Sequence, residues 1–114
     1  MGTAPEPAAV TVAETFSDFL AGLKPGALAA PVADAVTRDL VDAAGLCIAA
    51  RNTPYMRQIV ASCDAQGPCT AIGHGAALDA GGAALVNGVA IHGEDFDDTL
   101  EGAPIRVGAM VIPA

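Results

Sequence analysis

The spacing of the larger apolar residues restricts the first half of this chain to helices. Val12, Phe16, Phe19, Leu20 and Leu23 recur at intervals of three and four, and Val32, Val36, Leu40, Cys47 and Ile48 form a second stripe. A period of 3.6 residues collects each set on one side of a helix. The expected boundaries follow from local chemistry. Thr11-Val12-Ala13-Glu14 has the form of a capping box, in which the Thr11 hydroxyl accepts from the Glu14 amide and the Glu14 carboxylate reaches back. Gly22, Pro25 and Gly26 then supply a stop. Pro31 suits the first turn of a second, longer helix running to about Arg51, with Asp34, Arg38 and Asp42 four apart on its polar side. Thr53-Pro54 joins an N-cap to a first-turn proline, opening a third helix that turns Tyr55, Met56, Ile59, Val60 and Cys63 inward.

Beyond these helices the signals shorten. Asp64 to Pro68 reads as a turn, and Cys69 to Gly73 as a short extended segment with no evident pairing partner. Asp79 is the expected N-cap of a fourth helix through about His92. Gly81 and Gly82 in its first turns each cost about 1 kcal/mol relative to alanine, and small residues of this kind allow a neighbouring helix to approach closely. Asn87-Gly88 looks like a hairpin turn but lies inside an apolar helical run, so close helix packing is the better reading. The expected fold class is mainly α, with about four helices and one short extended segment near 69–73. Residues 1–10, with Pro5 and Pro7, read as a flexible lead-in, and 11–114 as one helical domain.

Composition bears on how that domain is stabilised. Hydrophobic residues make up 53% of the 114, yet aromatics are only 4% and tryptophan is absent, so alanine carries much of the apolar total. At roughly 25 cal/mol per Å² of apolar surface, a core built on alanine stabilises weakly. The helix faces are therefore expected to bury themselves against something further, either the remainder of a longer protein or a partner subunit. A net charge of −8, with Lys24, Arg38, Arg51, Arg57 and Arg106 scattered singly, argues against a phosphate backbone as ligand, so no nucleic acid is expected. No apolar run approaches the roughly 20 residues of a membrane span, and a soluble, cytoplasmic protein without membrane attachment is expected. Cys47, Cys63 and Cys69 are an odd count without close pairing, which suits reduced thiols, although Cys63 and Cys69 could meet across Gly67-Pro68.

Chemistry is concentrated in one stretch. Between Asn87 and Thr99 lie His92, Glu94, Asp95, Asp97, Asp98 and Thr99, at the end of the fourth helix. The Asn87-Gly88 pair, His92, the run Asp95-Phe96-Asp97-Asp98-Thr99 and Gly108-Ala109-Met110-Val111-Ile112-Pro113-Ala114 together resemble the N-terminal helical portion of the MmgE/PrpD family. Weaker likeness extends through Cys69-Thr70-Ala71-Ile72-Gly73 and Phe19-Leu20-Ala21-Gly22-Leu23. That family includes 2-methylcitrate dehydratase, cis-aconitate decarboxylase and iminodisuccinate epimerase. The resemblance implies a lyase or isomerase acting on small di- or tricarboxylic acids, without a metal or organic cofactor. It implies catalytic roles for Asp95, Thr99 and His92, with Asp95 orienting the acid/base groups or the substrate and Thr99 hydrogen-bonding a substrate carboxylate. It also implies self-association, since members are often dimers.

The chain departs from the family pattern in ways that bear on function. Ile105 and Arg106 occupy the place of the family's usual histidine after the motif threonine, and Glu94 replaces an apolar residue. The lysine and histidine that complete the family's site would lie beyond Ala114. Arg106 can serve as a fixed cation for a substrate carboxylate, but a guanidinium stays protonated and cannot exchange a proton as histidine does. Arg106 and Asn87 are thus expected as substrate-binding residues. The competing expectation is a noncatalytic short homologue that complements or binds a larger enzyme. A bland reading of the cluster is a helix end in which Asp95, Asp97 or Asp98 caps backbone amides and Thr99 bonds locally. Two overlapping patterns fit less well. Asp95-x-Asp97-x-Thr99 has the form of a haloacid-dehalogenase-type phosphatase motif, but Ile91-His92-Gly93-Glu94 is a poor strand to deliver its nucleophile. Asp97-Asp98-Thr99-Leu100-Glu101 has the form of a terpene-synthase magnesium motif, but Gly102 and Pro104 argue against a continuing helix.

Overall fold

A computed structural model describes residues 9–24 and 26–114. The expected lead-in at 1–10 falls largely outside the described residues, as does Pro25 in the first helix stop. The elements run α1 (Val12–Gly22), α2 (Ala30–Ala50), α3 (Pro54–Ala61), β1 (Gln66–Thr70), β2 (Ala77–Leu78), α4 (Ala80–His92) and α5 (Gly108–Val111). The chain is mainly α with one small sheet. Helix starts lie where the caps place them. Both halves of the Thr11–Glu14 capping box are formed, Thr53 accepts from the Met56 amide, and Asp79 accepts from Gly82 at 2.7 Å.

α4 is the axis of the molecule. It is apolar on every side, as befits a helix surrounded by protein, and it packs against α2, α3, α5 and both strands. Its buried residues, Ala83, Val86, Asn87, Ala90 and Ile91, meet Ala43, Cys47 and Ala50 of α2 in one core. Small side chains let the helix axes come close. At Gly88, a β-carbon would stand 3.0 Å from the Ala109 carbonyl of α5, so a larger residue there would make that crossing give by a few tenths of an ångström.

The extended segment differs from expectation. The strand begins at Gln66 and not Cys69, so the turn expected over Asp64–Pro68 is largely strand, and it pairs antiparallel with Ala77–Leu78. A bulge makes this possible, because Gln66 and Cys69 both pair with Leu78 and leave Gly67-Pro68 in the irregular step. Proline has no amide to donate and is tolerated at such a place. The buried Asn87 carboxamide ties this hairpin to α4. Its Oδ1 accepts from the Ile72 amide at 2.8 Å and its Nδ2 donates to the Thr70 carbonyl at 3.0 Å.

A second difference concerns the apolar stripes. α1 has no buried residue. On α2 only the small members of the inward face are buried, while Val32, Val36, Leu40 and Ile48 remain 43–50% exposed. Phe16 and Phe19 of α1 stack on each other, ring centres 6.4 Å apart, with both rings more than half exposed. The radius of gyration is 19.0 Å, against about 13 Å for a compact domain of this length. The α1 end extends away from the α4-centred body. Among the described residues, five of the ten buried hydrophobic ones are alanine, so that body has the thin core its composition implies.

Asn87→Ala removes both hydrogen bonds from α4 to the backbone of Thr70 and Ile72. It is expected to lower stability by about 2 kcal/mol in urea unfolding. An unchanged midpoint would mean that the hairpin does not depend on this clamp.

Candidate functional site

The end of α4 is held by a residue far away in sequence. The Tyr55 hydroxyl of α3 donates to Glu94 Oε1 at 2.8 Å, and its ring lies so close to Gly93 that a β-carbon there would come within 2.6 Å of the hydroxyl oxygen. Burial first, and then the Glu94 carboxylate, push the Tyr55 phenol above its ordinary value, so the hydroxyl stays protonated and donates. Immediately after this anchor, Asp95 takes φ +61° and is the one non-glycine described residue in the left-handed region. Asp and Asn are the residues that visit this region most readily. The reversal turns the chain back beneath the helix end.

Asp97 sits at the centre of the resulting cluster. Its side chain is 1% exposed, and both of its oxygens face His92 Nδ1, at 3.0 and 3.2 Å. Arg106 Nη1 donates to Asp97 Oδ1 at 2.7 Å and to the Asp97 carbonyl at 2.9 Å. The other arm of the guanidinium, Nη2, pairs with Asp95 Oδ1 at 2.8 Å. Burial opposes charge on Asp97, but the hydrogen bonds from His92 and Arg106 outweigh it and hold the carboxyl below the usual carboxylate range. An ionised carboxylate only accepts, so His92 carries its proton on Nδ1 and presents Nε2 as the nitrogen free to exchange one. The His92 side chain is 57% exposed, which leaves that nitrogen within reach of a ligand.

Asp98 does different work. Its Oδ1 accepts from the Gly108 amide at 2.9 Å and so starts α5, ten residues on. Capping of backbone amides, the bland reading of the cluster, holds for Asp98, whereas the Asp97 side chain serves His92 and Arg106. Between α4 and α5 lies an open groove of about 700 Å³, whose walls include Leu85, Val89, Ala109 and Met110 and whose polar end is formed by His92 and Arg106.

The expected site residues are thus distributed as follows. His92, Asp95 and Arg106 are brought together, with Asp97 as the link that sequence reasoning left among the helix-capping carboxylates. Burial singles out Asp97, and that burial depends on Arg106, nine residues later, which no local pattern reveals. Asp95 contacts Arg106 and not His92, so the task of orienting the imidazole falls to Asp97. Arg106, expected as a fixed cation for substrate, is already paired with two aspartates. Asn87, expected to bind substrate, has both ends of its carboxamide committed to backbone. Thr99 is exposed and makes no side-chain hydrogen bond among the described residues. His92, Asp95 and Asp97 each offer a metal-ligating atom, all within 4.8 Å of one another, but the guanidinium already bonds both carboxylates there. Cys47, whose thiol burial pushes up, is buried beside the Asn87 carbonyl, remote from nucleophilic chemistry.

Against models of protein families, residues 14–114 match the MmgE/PrpD N-terminal domain. The chain belongs to the MmgE/PrpD family. No curated protein and no solved structure matches it. No described helix is long and apolar enough to cross a membrane. Within this MmgE/PrpD domain, the His92–Asp97–Arg106 cluster joins the end of α4 to the segment that leads into α5.

The depressed Asp97 ionisation has a signed consequence. A carboxyl lowered in the folded state contributes stability that is complete above its unfolded value, about pH 4, and is lost as pH falls through the folded value. Asp97→Asn is expected to be less stable than wild type by about 2 kcal/mol at pH 7. That gap should narrow as pH drops below about 4 in parallel denaturation series. A gap that stays constant down to pH 2 would show that the Asp97 charge does not stabilise the fold.

Proposed function

We propose that this MmgE/PrpD chain contributes one wall of a lyase or isomerase site for small carboxylic acids, the di- and tricarboxylic class that the family resemblance implies. The observation that carries this reading is the His92–Asp97 pair at the mouth of the α4–α5 groove. Removal of a proton beside a carboxylate needs a base held in one tautomer and close to a cation. Asp97 sets the tautomer of His92, Nε2 takes the proton, and Arg106 supplies positive charge near the carboxylate. Thr99 is available to hydrogen-bond a second substrate oxygen. Asp95 lies at the same corner, its exposed carboxylate paired with Arg106 Nη2. No metal or organic cofactor enters this scheme, and the protein acts in the cytoplasm.

The test is turnover of 2-methylcitrate and cis-aconitate followed by proton NMR in the purified protein and its assemblies. His92→Gln is expected to lower the rate at least about 100-fold, and Asp97→Asn to lower it and shift its pH profile. Full activity in His92→Gln would overturn the assignment of the base.

The second reading, a complementing or binding subunit, is favoured by one observation: α1 buries nothing, although it carries Phe16, Phe19 and Leu20 and is followed by Leu23. An isolated helix of eleven residues is marginal in water, and a homo-oligomer or a larger partner enzyme would cover this face. Leu20→Asp is expected to abolish association, read as molar mass by light scattering, while leaving the α4-centred body folded. An unchanged mass would count against an interface on α1.

A further inference from the structure

Arg106 bonds its two aspartates under very different conditions. The Asp97 carboxylate is buried and triply engaged, whereas the Asp95 side chain is 76% exposed and pairs with one arm of the guanidinium. An exposed ion pair contributes little, because water and salt compete for both partners. A buried one of this geometry does not exchange without leaving a charge uncompensated. The Asp95 carboxylate is therefore the replaceable partner on a guanidinium that Asp97 holds in place. Arg106 also lines the groove, and beyond it and His92 the walls are apolar, among them Leu85, Val89, Pro104 and Met110.

We infer that Asp95 is a built-in stand-in for a ligand carboxylate. A small carboxylate replaces it on Arg106 Nη2 and lays its apolar carbons along the α4–α5 groove. The preferred ligand arm is amphiphilic, with one carboxylate followed by a short apolar chain. A guanidinium N–H bonded to a carboxylate is a charge-assisted hydrogen bond, and Asp95 already occupies Nη2 in this way through Oδ1 at 2.8 Å. His92 Nε2, at the same end of the groove, then lies on the side of the ligand nearest its carboxylate. The inference deepens the proposed function, resting on that reading for its choice of site, but it concerns binding and stands or falls separately from turnover.

The experiment is a titration of the full chain with butanoate, pentanoate and hexanoate, and with hexan-1-ol as the uncharged control, followed by amide NMR shifts. Affinity is expected to rise about threefold to fourfold per added methylene, as apolar burial implies, with shifts confined to α4, α5 and residues 104–106. Hexan-1-ol is expected to bind at least tenfold more weakly than hexanoate. Asp95→Asn removes the internal competitor while keeping a residue that tolerates the left-handed backbone, and should tighten hexanoate about two- to fivefold. Arg106→Gln should lose binding, and Arg106→Lys, which keeps the charge but not the two separate arms that hold Asp97 and the ligand, should weaken it. Weaker binding in Asp95→Asn, equal affinity for hexan-1-ol, or shifts lying elsewhere would each overturn the inference. Turnover lost in His92→Gln with hexanoate binding intact would separate this site from failure of the catalytic reading.

Discussion

A buried carboxylate is tolerable only when every charge and lone pair around it is answered, and Asp97 imposes that requirement on the second half of this domain. Its partners come from two places, His92 at the last turn of α4 and Arg106 nine residues after the aspartate. Satisfying Asp97 therefore means that the chain must leave α4, reverse at Asp95 and return Arg106 beneath the helix end. The return also brings Gly108 to Asp98, and with it the start of α5. One desolvated charge thus couples the termination of one helix to the initiation of the next, and the groove between them takes its polar end from His92 and Arg106, the two side chains Asp97 holds.

The precision of that arrangement depends on α4 being fixed from behind. Tyr55 presses on Gly93 and bonds Glu94, while Asn87 clamps the end of β1 two turns earlier. These contacts are polar or steric, which suits a domain whose hydrophobic core contains as much alanine as larger side chains. Where apolar area is scarce, directional bonds to a central helix carry a larger share of positional order. Glu94 illustrates the trade. An apolar residue at that position would add little burial on an exposed turn, whereas its carboxylate gives the Tyr55 hydroxyl a partner.

The parts legible in the sequence are those determined within a few residues. Thr11 with Glu14, Thr53 with Pro54, and Asp79 each start a helix through bonds to the next turn, and all three starts lie where the local pattern puts them. The hairpin was not legible, because Gly67-Pro68 has the look of a turn and its strand character comes only from pairing with Leu78 across a bulge. α5 escaped for a similar reason. Four residues with no cap of their own carry no periodic signal, and their start depends on Asp98. The functional stretch shows both sides of this limit. Its residue types and spacing marked the family and brought His92, Asp95 and Arg106 forward as candidates. Among three closely spaced aspartates, however, the assignment of one to the buried ion pair, one to a helix start and one to the surface depends on where Arg106 and Gly108 return, and nothing local to Asp95-Phe96-Asp97-Asp98 encodes that.

Two aspartates on Arg106 change the electrostatics of this corner more than its own charge suggests. A free guanidinium would make this corner of an acidic chain attractive to anions, but here it is flanked by Asp95 and Asp97, and the chain carries a net charge of −8. Simple addition of a carboxylate to such a place is opposed by its neighbours. Exchange is not, because one carboxylate leaving Nη2 as another arrives keeps the count around Arg106 constant. The exposed position of Asp95, just past the end of a rigid helix, allows its side chain to move into water without disturbing Asp97 or His92. The acidic residue that makes the site look hostile to a carboxylate ligand is, by this reasoning, the one whose departure makes room for it.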